Sequence, residues 1–313
     1  MMSILRPAAA LALVGIAAGP ASGAPPMVAA GTTVQIADGV WVIPDQRVSL
    51  VPNVGIIVGS EGVLVVEGGM GPANTEIVLD EVRKITDLPI RYFVSTHFHP
   101  EHYFGAQAFP DETVIIISIR QNMDLREKGQ QYIDFFLELF GDDVRGLLEP
   151  VELIPPDITF ERKAQIDLGD LPVELYHFGH AAHTRGDTVV LLPEQRLVFA
   201  GGLTPNRFFP IFPDPDSSLS GWLASLDELE QLDFDQIQPG HGGLSDRSLI
   251  ATVRGYLTQV RDAALQMNND GVPLSEAQAE LSPQFVSQYS DWDETNWVGA
   301  AIENVYNEAD GAR

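Results

Sequence analysis

The sequence contains no cysteine. Disulfides, thiolate metal ligands and a cysteine nucleophile are therefore all excluded. A chain without thiols also suits an oxidising compartment, where it cannot form wrong disulfides. Basic residues are scarce: 18 Lys and Arg stand against 44 Asp and Glu, a net charge of −26 over 313 residues. A surface that acidic repels phosphate backbones, which argues against nucleic acid as a partner. Long apolar runs are missing as well. The Ala-rich run Pro7–Gly19 falls short of the about 20 residues a membrane span needs, so no stable membrane insertion is expected. Histidine is rare, with seven residues unevenly placed at 97, 99, 102, 177, 180, 183 and 241.

What is present begins with an N-terminus in three parts. Met1–Arg6 carries one positive charge, Pro7–Gly19 is apolar and Pro20–Ala24 is small. This pattern predicts a signal peptide over residues 1–24, cleaved after Ala24, and an exported, periplasmic protein. The whole sequence is 45% hydrophobic, enough for a sizeable core. Short strands alternate with helices. Val40–Ile43, Val54–Val58, Val63–Val66 and Arg91–Ser95 read as strands, and Asn74–Ile85 and Leu219–Leu232 read as amphipathic helices. Gln121–Leu148 reads as one long helix, and Arg247–Asn268 and most of Glu276–Asn307 as helices. The pattern is α/β without a simple parallel βαβ repeat. It predicts one catalytic domain over 25–245, with C-terminal helices over 246–313 packed on it.

Thr96-His97-Phe98-His99-Pro100-Glu101-His102 is the most informative string. If the preceding strand continues, His97 and His99 point the same way. Three imidazoles and a carboxylate within six residues reach the density of a metal site, since both groups are good Zn²⁺ ligands. Two more turns carry histidine at strand ends: His183-Thr184-Arg185-Gly186-Asp187 and Pro239-Gly240-His241-Gly242. Loops at strand ends gather functional groups.

In this order the three segments resemble the motifs of the metallo-β-lactamase superfamily: H-x-H-x-D-H, H-T-x-G and P-G-H-G. The resemblance spans residues 33–245. It implies an αββα sandwich with a metal centre between the two sheet edges, here with a C-terminal helical extension. It implies a first metal on His97, His99 and His183, and a second with Glu101, His102 and His241. Two positions depart from the pattern. Glu101 stands where the motif has Asp, and Gly202 stands where many members place a bridging Asp or Cys. The third subclass of metallo-β-lactamases also lacks that ligand, and this set is similar to it. The missing charge between two dications implies one tight Zn²⁺ and a weaker second one. Gly202→Asp is accordingly expected to tighten the second site. Glu67 takes the place of a buried Asp near the metals and is expected to support the ligands.

His180, Thr204 and Arg207 are weaker candidates for lining the site. His180 reads equally as a structural turn residue, and Arg207 either clamps a substrate carboxylate or forms a surface ion pair. His177 reads as a packed residue and Asp187 as a brace for its own loop. The aromatics of Tyr132–Phe140 and Phe208–Phe212 supply an apolar rim or pack into the core.

The implied chemistry is hydrolytic. Two Zn²⁺ ions about 3.5–4 Å apart can hold a hydroxide at neutral pH and aim it at a carbonyl, with Glu101 as the catalytic carboxylate that orients it and moves a proton. The expectation is an exported zinc-dependent hydrolase of a small-molecule substrate, with β-lactam hydrolysis as one activity. Thioesterases like glyoxalase II, lactonases and the exported zinc hydrolases of quinoprotein or sulfur-oxidation systems are alternatives, and the C-terminal helices look more like the last group. A metal-binding protein that has lost turnover is the reading from another class. The sequence sets no oligomeric state.

Overall fold

The computed structural model describes residues 24–311. The expected signal peptide lies outside them except for Ala24. The first sheet follows chain order: β1 (Val34–Ala37), β2 (Val40–Ile43), β3 (Val54–Gly59), β4 (Gly62–Val66), β5 (Ile90–Val94), β6 (Val114–Ser118) and β7 (Ile158–Phe160). Neighbours are antiparallel up to β4 and parallel from β4 to β7. The second sheet runs β8 (Lys163–Asp167), β9 (Pro172–Tyr176), β10 (Val189–Leu192), β11 (Leu197–Gly201), β12 (Gln236–Pro239) and β13 (Ser245–Asp246). Only its β11–β12 pair is parallel.

Strand periodicity builds the layers. Ile57, Leu64, Val66, Val94 and Ile116 pack with Val173, Leu175, Val190, Leu192 and Phe199 of the second sheet. Their alternates Ile56, Val63, Val65, Phe93, Ile115 and Ile117 face the other way, packing with helices α1 (Gly71–Ile85), α3 (Ile119–Phe140) and α4 (Asp142–Leu148). The short α2 (Pro100–Tyr103) lies between α1 and α3 in the chain. On the far side of the second sheet, α5 (Leu219–Glu230), α6 (Ser248–Asn269), α7 (Leu274–Gln288) and α8 (Val298–Ala309) share one core around Trp222, Tyr256 and Ile302. This is the αββα sandwich with its helical extension.

Two sequence expectations are corrected. The long helix over 121–148 is two helices, because Gly141 takes φ 56 and breaks the ladder between α3 and α4. The strand expected to carry His97 and His99 stops at Val94, where Ser95 Oγ donates to the His97 carbonyl at 2.6 Å and turns the chain. Pro100 then opens α2 at its first position, a place that needs no N–H. The candidate residues therefore sit on turns and on the short α2. Glu67 follows β4, the 97–102 string follows β5, Gly202 follows β11 and His241 follows β12. All are at carboxyl ends of strands in parallel pairs, where α/β sheets open a crevice.

Candidate metal centre

His97, His99 and His183 converge although 84 residues separate the last two. Their rings stand nearly perpendicular in every pair, at 82°, 85° and 89°, with centroids 4.6 to 4.7 Å apart. His183 Nε2 lies 3.1 Å from His97 Nε2 and 3.1 Å from His99 Nδ1. Nitrogens bound at about 2.0–2.1 Å to a tetrahedral zinc stand about 3.3 Å apart, so the trio fits such an ion. Two outer nitrogens are held. His183 Nδ1 donates to the Ile211 carbonyl at 2.8 Å, and His97 Nδ1 lies 3.0 Å from Thr96 Oγ1. Burial, then mutual repulsion with the other imidazoles, holds the pKa of His97 and His99 well below the ordinary value. Burial drives that of His183 down to about 4. All three are thus neutral at pH 7, the form that binds metal.

Glu101, His102 and His241 form a second group, with one donor atom of each within 4.8 Å of the others. Glu101 and His102 are neighbours on α2, and Glu101 Oε1 is 3.9 Å from His102 Nε2. The His97 and His102 rings, 3.9 Å between centroids, form the wall shared by the two groups. Glu101 Oε2 and His102 Nε2 are buried without a hydrogen-bond partner. Such orphans inside a donor set are what a bound cation would satisfy. Burial raises the pKa of Glu101 and lowers that of His241 to about 3. Burial also opposes charge on His102, but Glu67 and Glu101 outweigh it and raise its pKa.

Glu67 is buried and left-handed at φ 71. It accepts from Thr96 Oγ1 at 2.5 Å and Thr96 N at 3.2 Å, and it lies 3.2 Å from His102 Nδ1 in an ion-pair geometry off the line of a hydrogen bond. One carboxylate thus ties both groups together. Asp187 accepts from Thr184 N and Oγ1 at 2.9 and 2.8 Å and braces the His183 turn, while burial pushes its pKa up to about 7.

The sequence reading missed the clamp on His241. Asn53 Nδ2 donates to the carbonyls of Pro239 and Gly242, Asp45 Oδ2 accepts from Gly242 N at 2.8 Å, and the Val51 carbonyl partners the His241 ring. Asp45 and Asn53 precede His241 by almost 200 residues and belong to no motif, so no spacing could reveal them.

Other candidates fall elsewhere. His180 does not join the cluster; its Nε2 pairs with Glu228 of α5 at 2.9 Å, on the surface. Arg207 is exposed and pairs with Asp291 at 3.6 Å, so the ion-pair alternative applies and no substrate clamp is assigned. Thr204 is fully buried with Oγ1 unpartnered, on the segment linking Gly202 to Asn206, whose N–H donates to the His241 carbonyl. His177 is packed, its Nδ1 3.0 Å from the Asp187 carbonyl. Phe208, Phe209 and Phe212 are buried rather than forming a rim. Gly202 lies against His183: a Cβ there would stand 2.4 Å from His183 Cδ2, closer than atoms can pack. The expectation that Gly202→Asp tightens the second site therefore meets a clash, because a side chain there must first displace His183. The position is occupied by the ring of a first-group histidine.

A sandwich of two sheets that gathers two histidine groups at its strand ends defines a metal-dependent hydrolase fold. The family model of the metallo-beta-lactamase superfamily matches residues 49–241, and the chain belongs to that superfamily, whose members resembling it here are hydrolytic enzymes. A linear primary-alkylsulfatase of Pseudomonas sp. (strain ATCC 19151) is 26% identical over 264 residues, covering 71% of this chain and 48% of the relative. The chain thus spans about half the length of the curated relative it matches. A metallo-beta-lactamase from Pontibacter korlensis shares the fold at a TM-score of 0.59 and 21% identity, over 72% of this chain and 98% of that one. The stereoselective inverting sec-alkylsulfatase Pisa1 from Pseudomonas sp. does so at 0.69 and 15% identity, over 88% of this chain and 50% of that one. No helix among the described residues is long and apolar enough to cross a membrane.

Proposed function

We propose that this chain is an exported zinc-dependent hydrolase of a small carbonyl substrate. Its tight zinc is held by His97, His99 and His183 and a weaker one by Glu101, His102 and His241. The observation that carries the reading is the pair of nitrogen and oxygen donor groups, buried except for the half-buried His241, each within 4.8 Å and sharing the His97–His102 wall. A donor set of imidazole and carboxylate without thiolate suits Zn²⁺. Bound there, the ions supply a water acidified enough to react at neutral pH and a Lewis acid for the scissile group. The chain does the rest. Glu67 keeps His102 oriented, and Glu101 takes up and returns a proton through the carboxylate oxygen that a bound metal leaves free.

A second reading is sulfate-ester hydrolysis. It is favoured by the alkylsulfatase likeness, which covers 88% of this chain in structure and so extends beyond the 72% covered by the β-lactamase. One panel separates the readings: a chromogenic cephalosporin, a thioester, a lactone and a linear alkyl sulfate, each with and without added zinc. Carbonyl turnover supports the first reading, and sulfate release alone supports the second. Zinc-bound protein that turns over none of them would make this a binding protein. Export is tested by sequencing the N-terminus of periplasmic protein, which should begin at Pro25.

A further inference from the structure

We propose that Tyr132, on α3, is a positioning residue for His99, and that the ionic network behind it makes this insertion part of the first zinc site's framework. The inference rests on the metal reading above. It starts from an asymmetry among three imidazoles. The outer nitrogens of His97 and His183 have partners in Thr96 Oγ1 and the Ile211 carbonyl. His99 turns Nδ1 to the centre, and its outer Nε2 is buried with no hydrogen-bond partner. A ligand histidine is ordinarily oriented through that outer nitrogen. Here packing must do it. The Tyr132 ring stacks on His99 at 5.2 Å and 21°, and Phe98 meets Tyr132 edge-on at 4.9 Å.

Tyr132 is itself anchored. Its hydroxyl donates to Asp214 Oδ1 at 2.8 Å, and Asp214 lies 3.3 Å from Lys128 Nζ. Lys128 also meets Asp124 at 3.1 Å and Asp216 at 2.8 Å. Arg185 closes the ring on Asp124 at 2.5 Å, Asp216 at 2.9 Å and Glu127 at 2.7 Å. Arg185 stands two residues after His183, and Ser217 Oγ, three residues beyond Asp214, donates to the His183 carbonyl at 2.8 Å. The network therefore reaches His99 through the Tyr132 face and His183 through Arg185 and Ser217. Buried ion pairs add little stability over apolar packing, and their best-attested use is to select one arrangement. Here the arrangement selected is the relative placement of two ligands whose inward nitrogens are 3.1 Å apart.

The test is zinc affinity, read by competition with a chromogenic chelator, with the melting temperature of the chelated protein as a measure of fold. Tyr132→Leu is expected to weaken the tight zinc by about 10- to 100-fold, as loss of an orienting partner does, and to leave the weaker zinc unchanged. Tyr132→Phe, which keeps the flat ring but cuts the hydroxyl's bond to Asp214, should weaken the tight zinc measurably but less than Tyr132→Leu does, which separates the ring's share from the network's. With Co²⁺ in place of zinc, the visible spectrum of the tight site should change in the Leu variant and lie nearer the parent's in the Phe variant. Parent affinity and spectrum in Tyr132→Leu would overturn the proposal. So would equal weakening of both sites with a matching fall in melting temperature, which marks general loss of structure. If Tyr132→Leu does not fold, Tyr132→Met keeps most of the volume without the flat face and carries the same expectation. A parent protein that binds no zinc would instead overturn the metal reading itself.

Discussion

A single methyl group at position 202 should weaken the protein's tight zinc. The Cβ of Gly202→Ala would stand 2.4 Å from Cδ2, 3.0 Å from Cγ and 3.1 Å from Nε2 of His183. Carbon atoms rest at about 3.5 Å, so the ring must retreat by about 1 Å. It has no easy direction to go. Nδ1 is bonded to Ile211, Trp222 lies 5.7 Å away, and the His97 and His99 rings stand against the other faces. Metal–ligand distances tolerate only about 0.2 Å. Overpacking a filled site costs about 1–3 kcal/mol. If the strain is relieved by moving His183 off the metal, the tight affinity falls by about 5- to 150-fold. Gly202→Asp adds the same clash and a charge, so it should also weaken the first metal and fail to tighten the second. Zinc competition titrations of the parent and both variants, with melting of the chelated proteins, measure this. Parent-like affinity in Gly202→Ala would show that His183 is not confined. A tighter second zinc in Gly202→Asp would show that the position serves as a vacant ligand site after all.

His99→Ala should remove most bound metal and all hydrolysis, and elemental analysis showing unchanged zinc would refute its assignment. Glu101→Gln should weaken the second metal and leave the first, whereas full rate with both metals retained would make Glu101 a spectator. Chelation should lower the melting temperature, since metal binds the folded state alone; an unchanged midpoint would count against a bound metal. The pH dependence of the chelated protein has one contribution from His241, whose pKa is held near 3 against 6.5 for an exposed imidazole, beside those of His97, His99 and His183, which are lowered in the same direction. Below pH 6.5 the unfolded chain takes up a proton that the folded chain refuses, so this residue's contribution to stability is lost as pH falls. Asp187 and Asp214, with pKa raised to about 7 and about 6, contribute in the opposite direction. His241→Leu isolates the histidine: its melting temperature should rise relative to the parent's as pH drops from 7 to 4, and a constant difference would refute the account.

The 97–102 cluster was legible from residue type and local spacing, whereas its grouping with His183 and His241 came from the resemblance to the superfamily. His97, His99, Glu101 and His102 crowd one turn, the His183 turn follows β9, where Val173 and Leu175 alternate with polar residues, and the His241 turn follows β12, whose one aliphatic residue is Ile237. Local pattern is sufficient there because strand periodicity and turn chemistry act over a few residues. Even the corrections to the elements are local: Gly141 divides a helix, and Ser95 with Pro100 ends a strand. Everything that depends on which surfaces meet came from the packed sheets. Packing of one sheet on the other brings Asp45 and Asn53, on the loop between β2 and β3, against the His241 turn across almost 200 residues, and the α3 insertion lays Tyr132 on His99. The same packing turns His180 out to Glu228 and Arg207 out to Asp291. Gly202 shows the difference most sharply. In the chain it reads as a missing ligand; in the fold it is the space that His183 fills, because a contact of 2.4 Å depends on the placement of two turns that no spacing along one chain encodes.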